Sequence, residues 1–329
     1  MEALLAFVRE GLGAAAHGAS PGSGAALADV APDRVALPTV VPEVAVAAEA
    51  IGRRLDGVAT LFYGSVLRTG DLDGLLDFYV LVDEARHKGL RGMVANLLWP
   101  DISFEEVMVG DRLLRAKVAT MTLEQFRLAA EGGLLDTTIW SRFVQPSALA
   151  WAADGHTADA VVRAVAEAAI SAGRFAAVLG PEEGDAHDFW RALFRETYRV
   201  ELRVERLGRE EEILARHPAY YARLLLLAWR AGAMPHVERD GIVRPLLAPR
   251  VRRKMLAAWR PRRRTGRLLN VARLVKAALM LDGAAGYAVW KINRHTGADI
   301  LLSPRMASHP LLSALWVLWK ARRAISRSR

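Results

Sequence analysis

The sequence predicts an α+β protein: a mixed sheet with helices in the N-terminal half, then an all-helical C-terminal domain and a basic amphipathic tail. Three observations predict it. Apolar runs of strand length are confined to residues 58–120. From about Trp151 onward only helical periodicity continues. The charge also divides: from Arg250 onward 19 Lys/Arg face only Asp282 and Asp299, so with a net +9 overall that region carries +17 and the first 249 residues −8.

The boundaries follow. Residues 1–35 form a flexible N-terminal segment containing a short amphipathic helix, MEALLAFVREGLG, before a Gly/Ala/Ser/Pro stretch. Glu2 occupies the place a signal peptide would give to a positive charge. Residues 36–150 make the sheet-bearing domain, 151–249 a helical domain, and 250–329 a basic amphipathic region facing a membrane. Within the second segment, Pro42–Leu55 reads as a helix with proline in its first turn. Strands follow at 58–64, 76–83, 104–110 and 113–120, with a short helix after Gly64-Ser65 and another at Gly89–Leu98. Thr122 and Gln125 form a capping box opening the next helix. Helical spacing recurs at 157–179, 186–207, 210–216 and 219–231, and residues 237–247 read as irregular or as a short hairpin. Helices are expected at 250–259, 265–281 and 309–325. The last, LLSALWVLWKARRAI, suits either a membrane interface or the protein's own core.

With no cysteine the chain has no disulfide, thiolate metal site or thiol nucleophile. Its eight histidines form no HExxH or i, i+4 pair, which argues against zinc. The basic end points to a polyanion, either an anionic membrane surface or nucleic acid.

The chemistry concentrates in LFYGSVLRTGDLDGLLDFYVLV, Leu61–Val82. A strand ends in Gly64-Ser65, and about a dozen residues later a second strand begins with Asp77. That is the layout of a nucleotidyltransferase-type sheet: the glycine turn lets backbone N–H groups approach a triphosphate, and the acid holds the metal that bridges it. Tyr79 stands where such sites usually carry a second acid. Asp73 and Asp71, in the preceding loop, are the nearer candidates to complete the site, although acids there are commonly turn formers. Lys117, inside a strand of an otherwise acidic domain, is either a phosphate ligand or an ordinary edge-strand lysine. Arg68 lies one turn after the Gly-Ser pair and would meet the same phosphates.

These pieces resemble the mitochondrial translocator-assembly-and-maintenance type of phosphatidate cytidylyltransferase (CDP-diacylglycerol synthase) and its bacterial relatives. The resemblance rests on Tyr63-Gly64-Ser65, Arg68, Leu76-Asp77-Phe78 and Val82-Asp83, then on Leu114–Thr120 around Lys117. Weaker echoes are Trp140, Arg142 and Gln145-Pro146, Phe194 with Tyr198, and Arg262–Arg267. The His-rich patch is reduced to Arg86-His87, and Arg305–Arg329 has no counterpart. The resemblance implies Mg²⁺-dependent transfer of a cytidylyl group from CTP to phosphatidate or a related anionic lipid, giving CDP-diacylglycerol for phospholipid biosynthesis. Asp77 and Lys117 are then the expected catalytic residues. Gly64, Ser65 and Arg68 would bind the nucleotide, Asp77 and Asp73 the metal, and Arg262, Arg263 and Arg264 the lipid phosphate. The implied location is cytoplasmic, peripheral on the inner leaflet, with nucleic acid the lesser expectation as partner. Two other readings stand beside it: a nucleotidyltransferase acting on RNA or a small soluble acceptor, and a catalytically degenerate lipid-bound scaffold.

Overall fold

A computed structural model describes residues 1–13, 40–84, 98–201 and 208–280. The expected helices at 89–98 and 309–325, nearly all or all of their length, lie outside the described residues.

The sheet is mixed, as the sequence predicts, and has five strands, one more than the four expected. Its strands are β1 (Gly57–Tyr63), β2 (Leu76–Val82), β3 (Asp101–Val109), β4 (Arg112–Thr122) and β5 (Ala148–Ala152), in the order β3-β4-β2-β1-β5. β2 runs parallel to β4, and every other neighbouring pair is antiparallel. The period of two sorts the central strand. Leu76, Phe78, Val80 and Val82 face one core with Val44, Ala47, Ala48 and Ile51 of helix α2 (Pro42–Arg54). Tyr79 and Leu81 face the other. Asp77 alone on β2 keeps some exposure, so the strand reads as an apolar run with one acid.

That second face is covered by helices. After α1 (Glu2–Gly11) and the short α3 (Ser65–Thr69) come α4 (Leu123–Ala130), α5 (Thr138–Phe143) and α6 (Gly155–Leu179). They are followed by α7 (Ala186–Glu201), α8 (Arg209–Arg216), α9 (Pro218–Ala231), the hairpin β6 (His236–Arg239) and β7 (Ile242–Pro245), and α10 (Pro249–Met280). The capping box at Thr122 and Gln125 opens α4, both bonds being 3.0 Å. α6 is buried on most of its circumference and contacts α1, α4, α5, α7, α9, α10, β1 and β5. Its many alanines allow that approach from all sides. One continuous core therefore runs from Leu4 to Trp259, joining the sheet to the helices.

Four expectations are corrected. The first 13 residues are docked rather than flexible: Leu4, Phe7 and Val8 are buried, Phe7 stacks on Tyr220 at 5.3 Å, and Arg9 pairs with Asp159 at 2.7 Å. The boundary at 150 falls inside β5, a five-residue strand too short to stand out by pattern. The strand beginning at 104 in the prediction starts at Asp101, since Ser103 and Asp101 are polar residues at a sheet edge. Finally, α10 continues through Pro261, where the sequence predicts a break. Pro261 lies on the exposed side, while Trp259 and Arg262 on the inner side anchor the helix. Gly266 then lets α10 meet α7, because a Cβ there would lie 2.2 Å from Val200. No helix of the described residues is long and apolar enough to cross a membrane.

Candidate functional site

The site begins with strand register. Tyr63 on β1 pairs with Asp77, Asp77 pairs with Lys117 on β4, and Lys117 pairs with Phe104 on β3. One row across the sheet thus carries the acid with a lysine on one flank and the end of β1 on the other. By alternation Asp77 and Lys117 share the helix-covered face with Tyr79 and Ala119.

Gly64 follows Tyr63 directly and has φ +97°, a conformation that side chains disfavour. A Cβ at this position would lie 2.4 Å from Asp77 Oδ2, so only glycine lets the turn and the acid touch. Ser65 begins α3 and is exposed, its carbonyl accepting from Thr69 Oγ1 at 3.1 Å.

Burial raises the pKa of Asp77, and Lys117, Arg142 and Arg68, in falling order, pull it down without cancelling that effect. One carboxylate therefore lies among three cations. Arg142, on α5, also sits over the Tyr63 ring at 4.7 Å. Tyr63 packs against Tyr79 at 5.3 Å, and Tyr79 against Phe143 at 5.3 Å. Tyr79 is thus part of the aromatic core, a role no acid could fill.

Asp73 is not brought into this group. It pairs with Arg112, the first residue of β4 and well before Lys117's row, and its N–H donates to Asp71 Oδ1 at 3.0 Å in a turn. Among the described residues no three acidic or histidine side chains gather to hold a metal. Asp77 nevertheless fits Mg²⁺ of the kind held by one carboxylate, waters and substrate phosphates.

Arg262, Arg263 and Arg264 are also elsewhere. Arg262 is buried and donates to the carbonyls of Gly132 at 2.6 Å, Leu134 at 2.9 Å and Ala258 at 2.7 Å, with Phe175 beneath it at 5.0 Å. Its guanidinium is committed to holding α10 onto the 132–134 loop. Arg263 and Arg264 face solvent.

The helices add groups absent from the predicted set. Arg68 acts electrostatically on His217 and Tyr221 as well as on Asp77. Burial and the charges of Arg216 and Arg68 hold His217 below its ordinary pKa. Arg142 could have been promoted from the weaker echoes of the resemblance. His217, before Pro218, signals only a helix start in the sequence. In comparisons with known proteins, no family model matches the chain and no curated protein is significantly similar.

Proposed function

We propose that the protein is a Mg²⁺-dependent cytidylyltransferase that transfers CMP from CTP to phosphatidate or a related lipid phosphate at a membrane surface. The observation that carries the reading is the row at Gly64, Asp77 and Lys117: a glycine turn on which a Cβ would strike the acid, and one carboxylate that feels the charges of Lys117, Arg142 and Arg68. Three cations around a single acid suit a ligand that is itself strongly anionic, and a triphosphate is one.

The roles follow from charge. Lys117 and Arg142 would draw off negative charge from the triphosphate as it builds in the transition state. Gly64 leaves the backbone bare beside it. Asp77 would carry Mg²⁺ together with the nucleotide's own phosphates, and the ion would supply neutralisation of the leaving pyrophosphate. An ionised phosphate oxygen of the acceptor attacks the α-phosphorus; the new P–O bond forms as the bond to the β-phosphate oxygen breaks and pyrophosphate departs. The nucleophile is already an anion, so no general base is needed, and a site with one acid is sufficient.

Access to a lipid substrate is supported by α10. Arg250, Arg253, Lys254, Arg260 and Arg264 are exposed and fall within about a third of the helix circumference, with exposed Leu268 among them. The helix contains no acid. Such a stripe suits an anionic bilayer surface.

One observation favours a second reading, a nucleotide-binding scaffold without turnover: Tyr79 is core and Asp73 is paired with Arg112, which leaves Asp77 without a companion acid among the described residues. Labelled CTP and phosphatidate vesicles separate the two. Release of pyrophosphate with formation of CDP-lipid is expected, falling by about 100-fold or more in Asp77→Ala. Undiminished turnover in that variant overturns the transferase reading, and nucleotide binding with no turnover in the wild type selects the scaffold.

A further inference from the structure

The hairpin between α9 and α10 turns a whole face to solvent. Asp240 and Gly241 make its two-residue turn, both at positive φ, 52° and 78°, a turn that matches the twist of paired strands. The register opposes Val237 to Arg244 and Arg239 to Ile242, and Leu246 N donates to Pro235 O at 2.7 Å. Alternation then puts Pro235, Val237, Arg239, Ile242, Arg244 and Leu246 on one face, and all six are exposed. The other face holds the hairpin to the protein. Val243 is buried and exchanges two backbone bonds with Gly184, at 2.8 and 3.2 Å, and His236 packs against Trp229 at 5.4 Å.

The bare face mixes aliphatic and cationic side chains. Val237, Ile242 and Leu246 each keep 46–47% of their surface exposed, as does Val251 in the first turn of α10. A strand face in water ordinarily carries polar residues, so a cluster of apolar ones calls for a partner. Charge says of which kind. From Pro235 to Lys254 six Lys/Arg stand against two acids. Of these acids, Glu238 pairs with Arg230 of α9 at 3.1 Å, and Asp240 at the turn lies 3.7 Å from Arg239. Leu246–Ala248 separate β7 from α10, no more than about 14 Å of chain. The hairpin face therefore adjoins the start of the acid-free cationic stripe.

We propose that the outer face of the β6–β7 hairpin, with Val251 in the first turn of α10, is the part of the protein that enters an anionic bilayer. Val237, Ile242, Leu246 and Val251 pass into the boundary between headgroups and acyl chains, while Arg239, Arg244, Arg250 and Lys254 meet lipid phosphates. The inference rests on the proposed membrane contact and not on the transfer chemistry. An arginine opposite an aliphatic residue keeps its head among phosphates while its methylenes line the apolar side. A stripe of cations alone draws the protein to a membrane without inserting it, and the hairpin supplies the apolar part. Six hairpin residues fall far short of the roughly 20–30 a side of a stable protein interface, which disfavours a second copy of the chain. Aliphatic side chains likewise gain nothing from the phosphate backbone that dominates nucleic-acid binding.

The chain has no cysteine, so Ile242→Cys carries an environment-sensitive NBD dye at a single known position. Val46→Cys is the control, an exposed site on α2, which packs on the other core from Val243. Each labelled full-length protein is mixed with vesicles of equimolar phosphatidylcholine and phosphatidylglycerol, and separately with phosphatidylcholine alone. The dye at 242 should brighten and shift to the blue with the mixed vesicles, respond less to phosphatidylcholine, and stay as in water at 46. Val237→Ser, Ile242→Ser and Leu246→Ser together should raise the Kd for mixed vesicles about tenfold or more, with a melting temperature in the range of ordinary surface changes. The dye reads the contact on a chain with one substitution, so it decides the matter even if the serine variant fails to fold. A dye at 242 that stays in water while the protein sediments with vesicles overturns the docking face and leaves the transferase standing. A shift that grows with protein concentration alone assigns the face to a second copy, and one that needs RNA assigns it to nucleic acid; either overturns the bilayer. Penetration of the dye in a protein that never consumes CTP keeps the docking face and removes the transferase.

Discussion

At Asp77 burial raises the carboxyl above its ordinary pKa although three cations pull the other way. The folded pKa exceeds the unfolded one, so the protonated form is favoured by folding. Stability is therefore highest below the unfolded value and falls as pH rises through the folded one. Asp77→Asn, a permanently neutral isostere, should melt about 1–3 °C higher than wild type at neutral pH while losing turnover. The gap should close as the pH approaches the ordinary carboxylate range, and scanning fluorimetry across pH reads it. A melting point that drops at neutral pH would mean that the ionised carboxylate is stabilising after all. Sites tuned for chemistry commonly give up stability in this way. The glycine, the acid and the lysine were legible because strand ends, turn residues and period-two spacing are local properties. Tyr79's burial against Tyr63 and Phe143 was not, since it depends on a helix more than sixty residues further along the chain.

Among the elements, α10 departs furthest from its reading in sequence. Pro261 predicts a break, but an exposed proline removes a single helical bond, and inner-face contacts outweigh that loss. Those contacts are long-range. Arg262 caps the carbonyls of the 132–134 loop; Arg273 pairs with buried Asp136 beneath Trp99, whose ring is 4.5 Å away; and Lys276 reaches Asp101 at 2.5 Å. A basic region that looks uniform in sequence is thus divided by helix period into cations that hold the fold and cations that meet solvent. β5 was missed for a related reason, because a five-residue edge strand is recognised only by its partner β1. Asp136 also accepts from Thr138 N at 2.8 Å, so Asp136→Ala strands a buried guanidinium and removes the acceptor of the first N–H of α5. It should cost about 3–5 kcal/mol in denaturant unfolding. A loss below about 1 kcal/mol would show that the pair behaves like an exposed one.

For the whole molecule, the division of α10 decides how the protein would meet a bilayer. The inner cations Arg262, Arg273 and Lys276 are consumed by the fold, which leaves the exposed cations among the described residues of α10 to contact lipid headgroups. Each basic residue near an anionic surface contributes about 1 kcal/mol. Replacing Arg253, Arg260 and Arg264 together by alanine should therefore weaken binding to anionic vesicles by about 100-fold, and high salt should do the same to the wild type. These positions are exposed, so the melting temperature should stay within the range of ordinary surface changes. Turnover of water-soluble dioctanoyl phosphatidate should also persist, because none of the three acts on Asp77. Arg262→Ala supplies the contrast: it should lower the melting temperature by opening α10 from the 132–134 loop. Vesicle sedimentation beside the soluble-substrate assay separates surface contact from chemistry. Unchanged sedimentation of the triple variant would remove α10 as the contact face while leaving the Asp77 site standing. Loss of activity on the soluble lipid would instead mean that the outer cations belong to the site itself.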